Sequence, residues 1–154
     1  MFRLGLVIFL IGIAITITIL GGRVSDFIDP ASILSILLSL VAVLAATRSF
    51  KVFLAGWRAV MNPREEISEE LRGQAASLFR FLSKITMMVA FMVTLISLIN
   101  MLMNLDFADE GGIAALGINL AASLLTPVLG LILVAAFFEP AVYILKKRQG
   151  KGKG

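Results

Sequence analysis

Four charge-free apolar runs, Leu4–Gly22, Pro30–Thr47, Ile85–Leu105 and Gly111–Phe138, occupy more than half of this chain. Each is close to or longer than the roughly 17 to 20 residues that cross a hydrocarbon layer of about 30 Å. A soluble domain of 154 residues does not need 59% hydrophobic and only 16% charged residues. The expectation is an all-α integral membrane protein with four transmembrane helices embedded in a lipid bilayer.

The net charge of +4 follows topology rather than a nucleic-acid-binding face, because the basic residues cluster at helix ends and in one connection. With both termini cytoplasmic, Arg3, the seven basic residues from Arg48 to Lys84, and Lys146, Lys147, Arg148, Lys151 and Lys153 all lie inside. Arg23 alone lies outside, with Asp26, Asp29, Asp106, Asp109 and Glu110. The opposite orientation violates the positive-inside rule at nearly every loop.

The sequence contains neither cysteine nor histidine. Thiolate metal sites, a histidine proton relay and a Ser/His/Asp triad cannot be built from this chain alone. No enzymatic activity, metal or cofactor is expected. Met1-Phe2-Arg3 before an apolar run imitates a signal peptide, but the run is long and Leu20-Gly21-Gly22-Arg23 is a poor cleavage site. An uncleaved first helix is expected.

The chain divides into a transmembrane hairpin over residues 1–47, a short cytoplasmic connection with a helical extension over 48–84, a second transmembrane hairpin over 85–148, and a flexible basic tail over 149–154. Gly21-Gly22 breaks the first helix, and Asp29-Pro30 supplies a cap and a first-turn proline for the second. Gly5, Gly12 and Thr16 share one face of the first helix, and Ser32, Ser35, Ser39, Ala42 and Ala46 one face of the second. Small residues at this spacing predict close packing seams. Asn62-Pro63 followed by Glu65 and Glu66 predicts the start of the third helix. Continued to Leu105, it is about 40 residues or 60 Å long, half of it projecting into the cytoplasm. The fourth helix, from Gly112 to about Lys147, also outruns the bilayer, which places Glu139 at the cytoplasmic interface. There it is level with Arg80 or Lys84 of the antiparallel third helix, and an interfacial ion pair is expected.

The third and fourth helices carry narrow polar stripes. At about 100° per residue, Thr86, Thr94, Ser97, Asn100 and Asn104 fall on one side of the third helix. On the fourth, Asn119, Ser123, Thr126 and Gly130 fall within a sector of about 60°. Polar groups are costly against lipid, so both stripes are expected to face protein or a hydrated path.

Three segments resemble the MotA/TolQ/ExbB proton-channel family, most closely its four-helix MotA branch: Gly21-Gly22 with Phe27–Ser32, then Thr94–Asp106, then Ala121–Gly130 continuing through Phe137-Phe138-Glu139-Pro140. The resemblance implies a homopentamer around a single-helix MotB/ExbD-like partner with a membrane-embedded aspartate, in a bacterial inner membrane. It implies that proton or sodium flow drives movement in that partner. Thr94, Ser97, Asn119, Ser123 and Thr126 would line the ion path or touch the partner helix, while Pro127, Gly130 and Pro140 set helix geometry. The chain departs from the pattern in three places. Pro127 stands where the family usually has a hydroxyl, with Thr126 just before it. Met87, Ala90, Val93 and Ser97 replace a proline and glycines of the third helix. The connection from Arg48 to Lys84 replaces a much larger cytoplasmic domain. The first two departures motivate an alternative reading, a non-conducting oligomeric membrane scaffold that keeps the family fold.

Overall fold

The computed structural model describes residues 2–62, 67–104 and 112–149, with side chains described through 148 in the last segment and from 116 onward. These residues form α1 (Phe2–Ile19), a 3-10 turn (Val24–Phe27), α2 (Pro30–Ala46), α3 (Phe50–Met61), α4 (Glu69–Met103), α5 (Gly112–Leu133), a π-helical segment (Val134–Phe138) and α6 (Glu139–Gln149). No strand occurs among them. By length and composition, four helical stretches are able to cross a membrane: Phe2–Ile19, Val24–Ala46, Glu69–Met103 and Leu116–Arg148. The all-helical, four-span architecture expected from the sequence is therefore present, with α4 and α6 running beyond their apolar spans.

Local chemistry sets the helix ends. α1 stops in a Schellman turn, where Gly21 takes a φ of 81°, Gly22 N donates to the Ile17 carbonyl and Gly21 N to the Thr18 carbonyl. The end of α2 repeats this turn with a non-glycine residue: Arg48 has a φ of 52°, and Ser49 N donates to the Leu44 carbonyl. At the other end of α2, Asp29 is the N-cap and Pro30 the first helical residue, as the sequence predicts.

The connection differs from expectation. It contains a helix, α3, that periodicity in the apolar runs does not announce, and Asn62 ends that helix instead of starting the next. Ser68 is the cap of α4, its Oγ accepting from Leu71 N at 3.3 Å. Pro63, Arg64, Glu65 and Glu66 lie outside the described residues, as do Asp106, Asp109, Glu110 and the basic tail beyond Gln149. α4 has 35 residues, a length of about 52 Å at 1.5 Å per residue.

The densest packing lies in the extensions, where α3, the first half of α4 and α6 converge. Val60, Phe79, Leu82 and Leu145 are fully buried there, with Ala75, Ala141 and Val142 beside them. Trp57 lies within 5.9 to 6.2 Å of Phe2, Phe79 and Phe137, measured between ring centroids. Water drives this burial, whereas lipid gives apolar side chains no comparable reason to leave it. Two arginines close the bundle end: Arg148 donates to the Ala59 carbonyl at 2.8 Å, and Arg72 donates to the Arg148 carbonyl at 3.0 Å. Each neutralises carbonyl charge at a helix C-terminus.

The expected seams are redistributed. α1 buries no residue, and a Cβ at Gly5 or Gly12 would meet nothing within 4 Å, so its small-residue face makes no close contact among the described residues. On α2 the buried line is Ser32, Ile36, Leu40 and Leu44; Ser35 and Ser39 flank it, and Ala42 and Ala46 are exposed. Large apolar residues thus fill the α2 contact where small ones were expected.

A Cβ at Gly56 would lie 2.6 Å from Ala75 Cβ and 3.1 Å from the Phe79 ring. Gly56→Ala is expected to cost about 1 to 3 kcal/mol through overpacking. Thermal unfolding in detergent checks this, and Ala75→Gly in the same chain restores part of the loss.

Candidate functional site

The site begins at the cap of α2. Asp29 receives Ala31 N on Oδ1 at 3.1 Å and Ser32 N on Oδ2 at 3.2 Å, satisfying two donors that the first helical turn leaves open. The Ser32 hydroxyl donates to the same Oδ2. Ser32 Oγ also lies 2.5 Å from Thr126 Oγ1, which belongs to α5 and is 94 residues away in sequence. A serine hydroxyl has one hydrogen, and that of Ser32 is directed to Asp29. Thr126 therefore donates to Ser32, and a continuous chain runs Thr126 to Ser32 to Asp29.

Both hydroxyls are sequestered, Ser32 at 3% and Thr126 at 2% exposure. Helical threonines commonly donate to the carbonyl four residues back, as Thr94 does to Ala90 at 2.9 Å. Thr126 instead reaches across to another helix. Pro127 follows it directly and has no N–H, so the Ser123 carbonyl loses its α-helical donor. The Ser123 hydroxyl is tied to the Leu120 carbonyl at 2.8 Å.

A cleft of about 380 Å³ opens over this chain, lined by Asp26, Asp29, Ser32, Ser35, Ser97 and Thr126, with Val93 and Leu125 as apolar walls. Beyond it, α4 and α5 close together: a Cβ at Gly130 would lie 2.8 Å from Ala90 Cβ. Because the helices are antiparallel, this contact puts Thr94 and Thr126, each four residues further along, in one layer. One turn the other way along α4, Thr86 is 1% exposed and its hydroxyl has no partner among the described residues.

The predicted residues separate into three groups. Thr94, Ser123, Thr126 and Gly130 are buried in or beside the α4–α5 seam. Ser97 is exposed but lines the cleft, whereas Asn119 is exposed and does not. Asn100 and Asn104 are exposed toward the end of α4. Pro127 lies inside α5, and Pro140 lies in the first turn of α6, facing a groove with Phe2 and Gly5. Glu139, Arg80 and Lys84 are all exposed, and among the described residues no salt bridge joins them; the expected ion pair is absent. Lys84 lies fifteen residues into α4, where its long stem can carry its charge to water without a partner.

Asp29 and Ser32 are the residues that sequence reasoning assigned elsewhere, one to capping and the other to packing. The signal was their spacing: a cap carboxylate and a hydroxyl three residues later share one helical turn. Comparison with known proteins finds no match to this chain among family models, curated proteins or solved structures.

The hydrogen bond between Ser32 and Thr126 joins α2 to α5 where both are apolar. Thr126→Val is expected to cost about 0.5 to 1.5 kcal/mol. A double-mutant cycle with Ser32→Ala, read by thermal unfolding, should give a coupling of about 1 kcal/mol between the two positions.

Proposed function

We propose that this chain is a MotA-like subunit of a membrane ion-channel or stator complex, coupling proton or sodium flow to movement in a single-helix MotB/ExbD-type partner. The observation that carries this reading is the hydrogen bond between the buried hydroxyls of Ser32 on α2 and Thr126 on α5, open to a polar cleft that Ser97 of α4 also lines, within helices otherwise suited to lipid. Polar groups at membrane depth default to functional roles, and hydroxyls can both accept and donate as an ion passes.

Three further features support it. Ser97, Asn100 and Asn119 stay exposed in the single chain, leaving a polar surface for a partner helix or another copy. The small-residue face of α1 and the exposed apolar faces of the spans suit assembly into a homopentamer within lipid. The resemblance to MotA-type sequences supplies the partner's acidic residue, which this chain lacks near its bilayer midplane. Both termini are assigned to the cytoplasmic side from the distribution of Lys and Arg, and a bacterial inner membrane is what the resemblance implies.

The test is gradient-driven ion flux in liposomes containing the complex purified through a tag on this chain. Thr94→Val combined with Thr126→Val is expected to lower flux at least tenfold while the oligomer stays intact by size. Unchanged flux would remove these residues from the path. No flux from the wild-type complex, with an intact oligomer, would favour the non-conducting scaffold.

A further inference from the structure

We infer that the groove between α1 and the fourth span is a lipid site, holding one acyl chain of a phospholipid whose anionic headgroup rests on Arg3 and Lys147. The inference uses only the membrane-spanning architecture and stands apart from the channel reading. The groove has a volume of about 360 Å³. Phe2, Gly5 and Phe9 of α1 form one wall, and Ala135, Pro140 and Tyr143 form the other.

Small residues on two adjacent membrane helices ordinarily let the backbones close together. Here a Cβ at Gly5 would meet nothing within 4 Å, although Ala135 lines the same groove. α1 is held at this end through an aromatic contact instead, Phe2 against Trp57 with ring centroids 6.1 Å apart. Among the described residues no charged side chain lines the groove, so its interior suits hydrocarbon. From Phe2 to Phe9 is roughly 10 Å along the helix, beginning where the apolar run of α1 begins. The groove therefore lies along a span and within one leaflet, half of a hydrocarbon layer of about 30 Å.

Charge is sorted toward its interfacial end. Arg3, Lys146 and Lys147 are all exposed. Lys147 Nζ lies 5.9 Å from the centre of the Tyr143 ring, which sets an ammonium beside the groove's mouth. Tyrosine and lysine at this level sit where headgroups begin. Glu139 is the one acid of α1 and α6, and it does not line the groove. A second copy laid against this face through its own α1 would bring like charges to the same end, whereas an anionic headgroup complements them. Gly12 and Thr16 lie further along α1, outside this groove, and stay open to assembly.

The experiment uses the full chain in phosphatidylcholine liposomes, with Trp57, its only tryptophan, as reporter. Phosphatidylglycerol or phosphatidylcholine with brominated chains is added, bromine being a contact quencher of indole fluorescence. An occupied groove gives quenching that saturates at a low mole fraction, above a background proportional to bulk lipid. Half-saturation is expected at a mole fraction about fivefold lower or more for the anionic lipid. Arg3→Gln with Lys147→Gln is expected to bring the two lipids within about twofold of each other, and Arg3→Lys with Lys147→Arg to keep the preference. Gly5→Leu builds into the open space and should remove the saturating component for both lipids while helicity is unchanged. Equal half-saturation by the two lipids in the wild type overturns the inference, as does a preference that survives the double glutamine variant. So does a saturating component that Gly5→Leu leaves in place. Background quenching alone in the wild type means that another helix covers the groove, and it overturns the inference too. If Gly5→Leu does not fold, the charge variants decide.

Discussion

At Ala90 and Gly130 two helices approach so closely that one added Cβ would lie 2.8 Å from its neighbour, and the register of the second hairpin follows from that contact. It brings Thr94 level with Thr126 and leaves Thr126 free to meet Ser32 on α2. In lipid, no gain from leaving water holds helices together, so contact between small residues and a few hydrogen bonds must do it. Further along α4 the chemistry changes. There Phe79, Leu82 and Leu145 are removed from water, and the same helix is held by an ordinary apolar core. α4 therefore belongs to two solvents, and each half is fixed by the interaction its own solvent allows.

Much of this was legible in the sequence because the strongest signals are local. Run length marked the spans, Gly21 marked the left-handed turn that ends α1, and Asp29-Pro30 marked the start of α2. Asn62 misled because a residue that suits a helix start can also end the previous helix, and α3 ends there. α3 itself escaped notice because its apolar residues are interrupted by Lys51 and Arg58, so no charge-free run announces it. It is amphipathic, with Gly56, Ala59 and Val60 turned to the core.

The site was half legible for a different reason. Helical periodicity identified Thr94, Ser123 and Thr126 as inward-facing, and all three are buried. Periodicity cannot say which hydroxyl a threonine will choose. Thr94 bonds within its own helix and Thr126 bonds to Ser32, although both are threonines in apolar surroundings. That difference depends on where α2 lies against α5, a tertiary fact encoded in neither helix alone. The same holds for Glu139, whose position level with two basic residues did not bring them into contact.

The π-helical segment before Pro140 solves a problem of counting. Two turns of α-helix take about seven residues, whereas the buried face of the fourth span passes from Gly130 to Phe138, eight residues on. The wider turn at Val134–Phe138 absorbs the additional residue, so α5 and α6 both present their buried faces to α4. The fourth span is thereby two separately phased helices in continuous succession. Its membrane half can keep the spacing its hydroxyls need while its water-facing half keeps the spacing its core needs, and neither dictates the phase of the other.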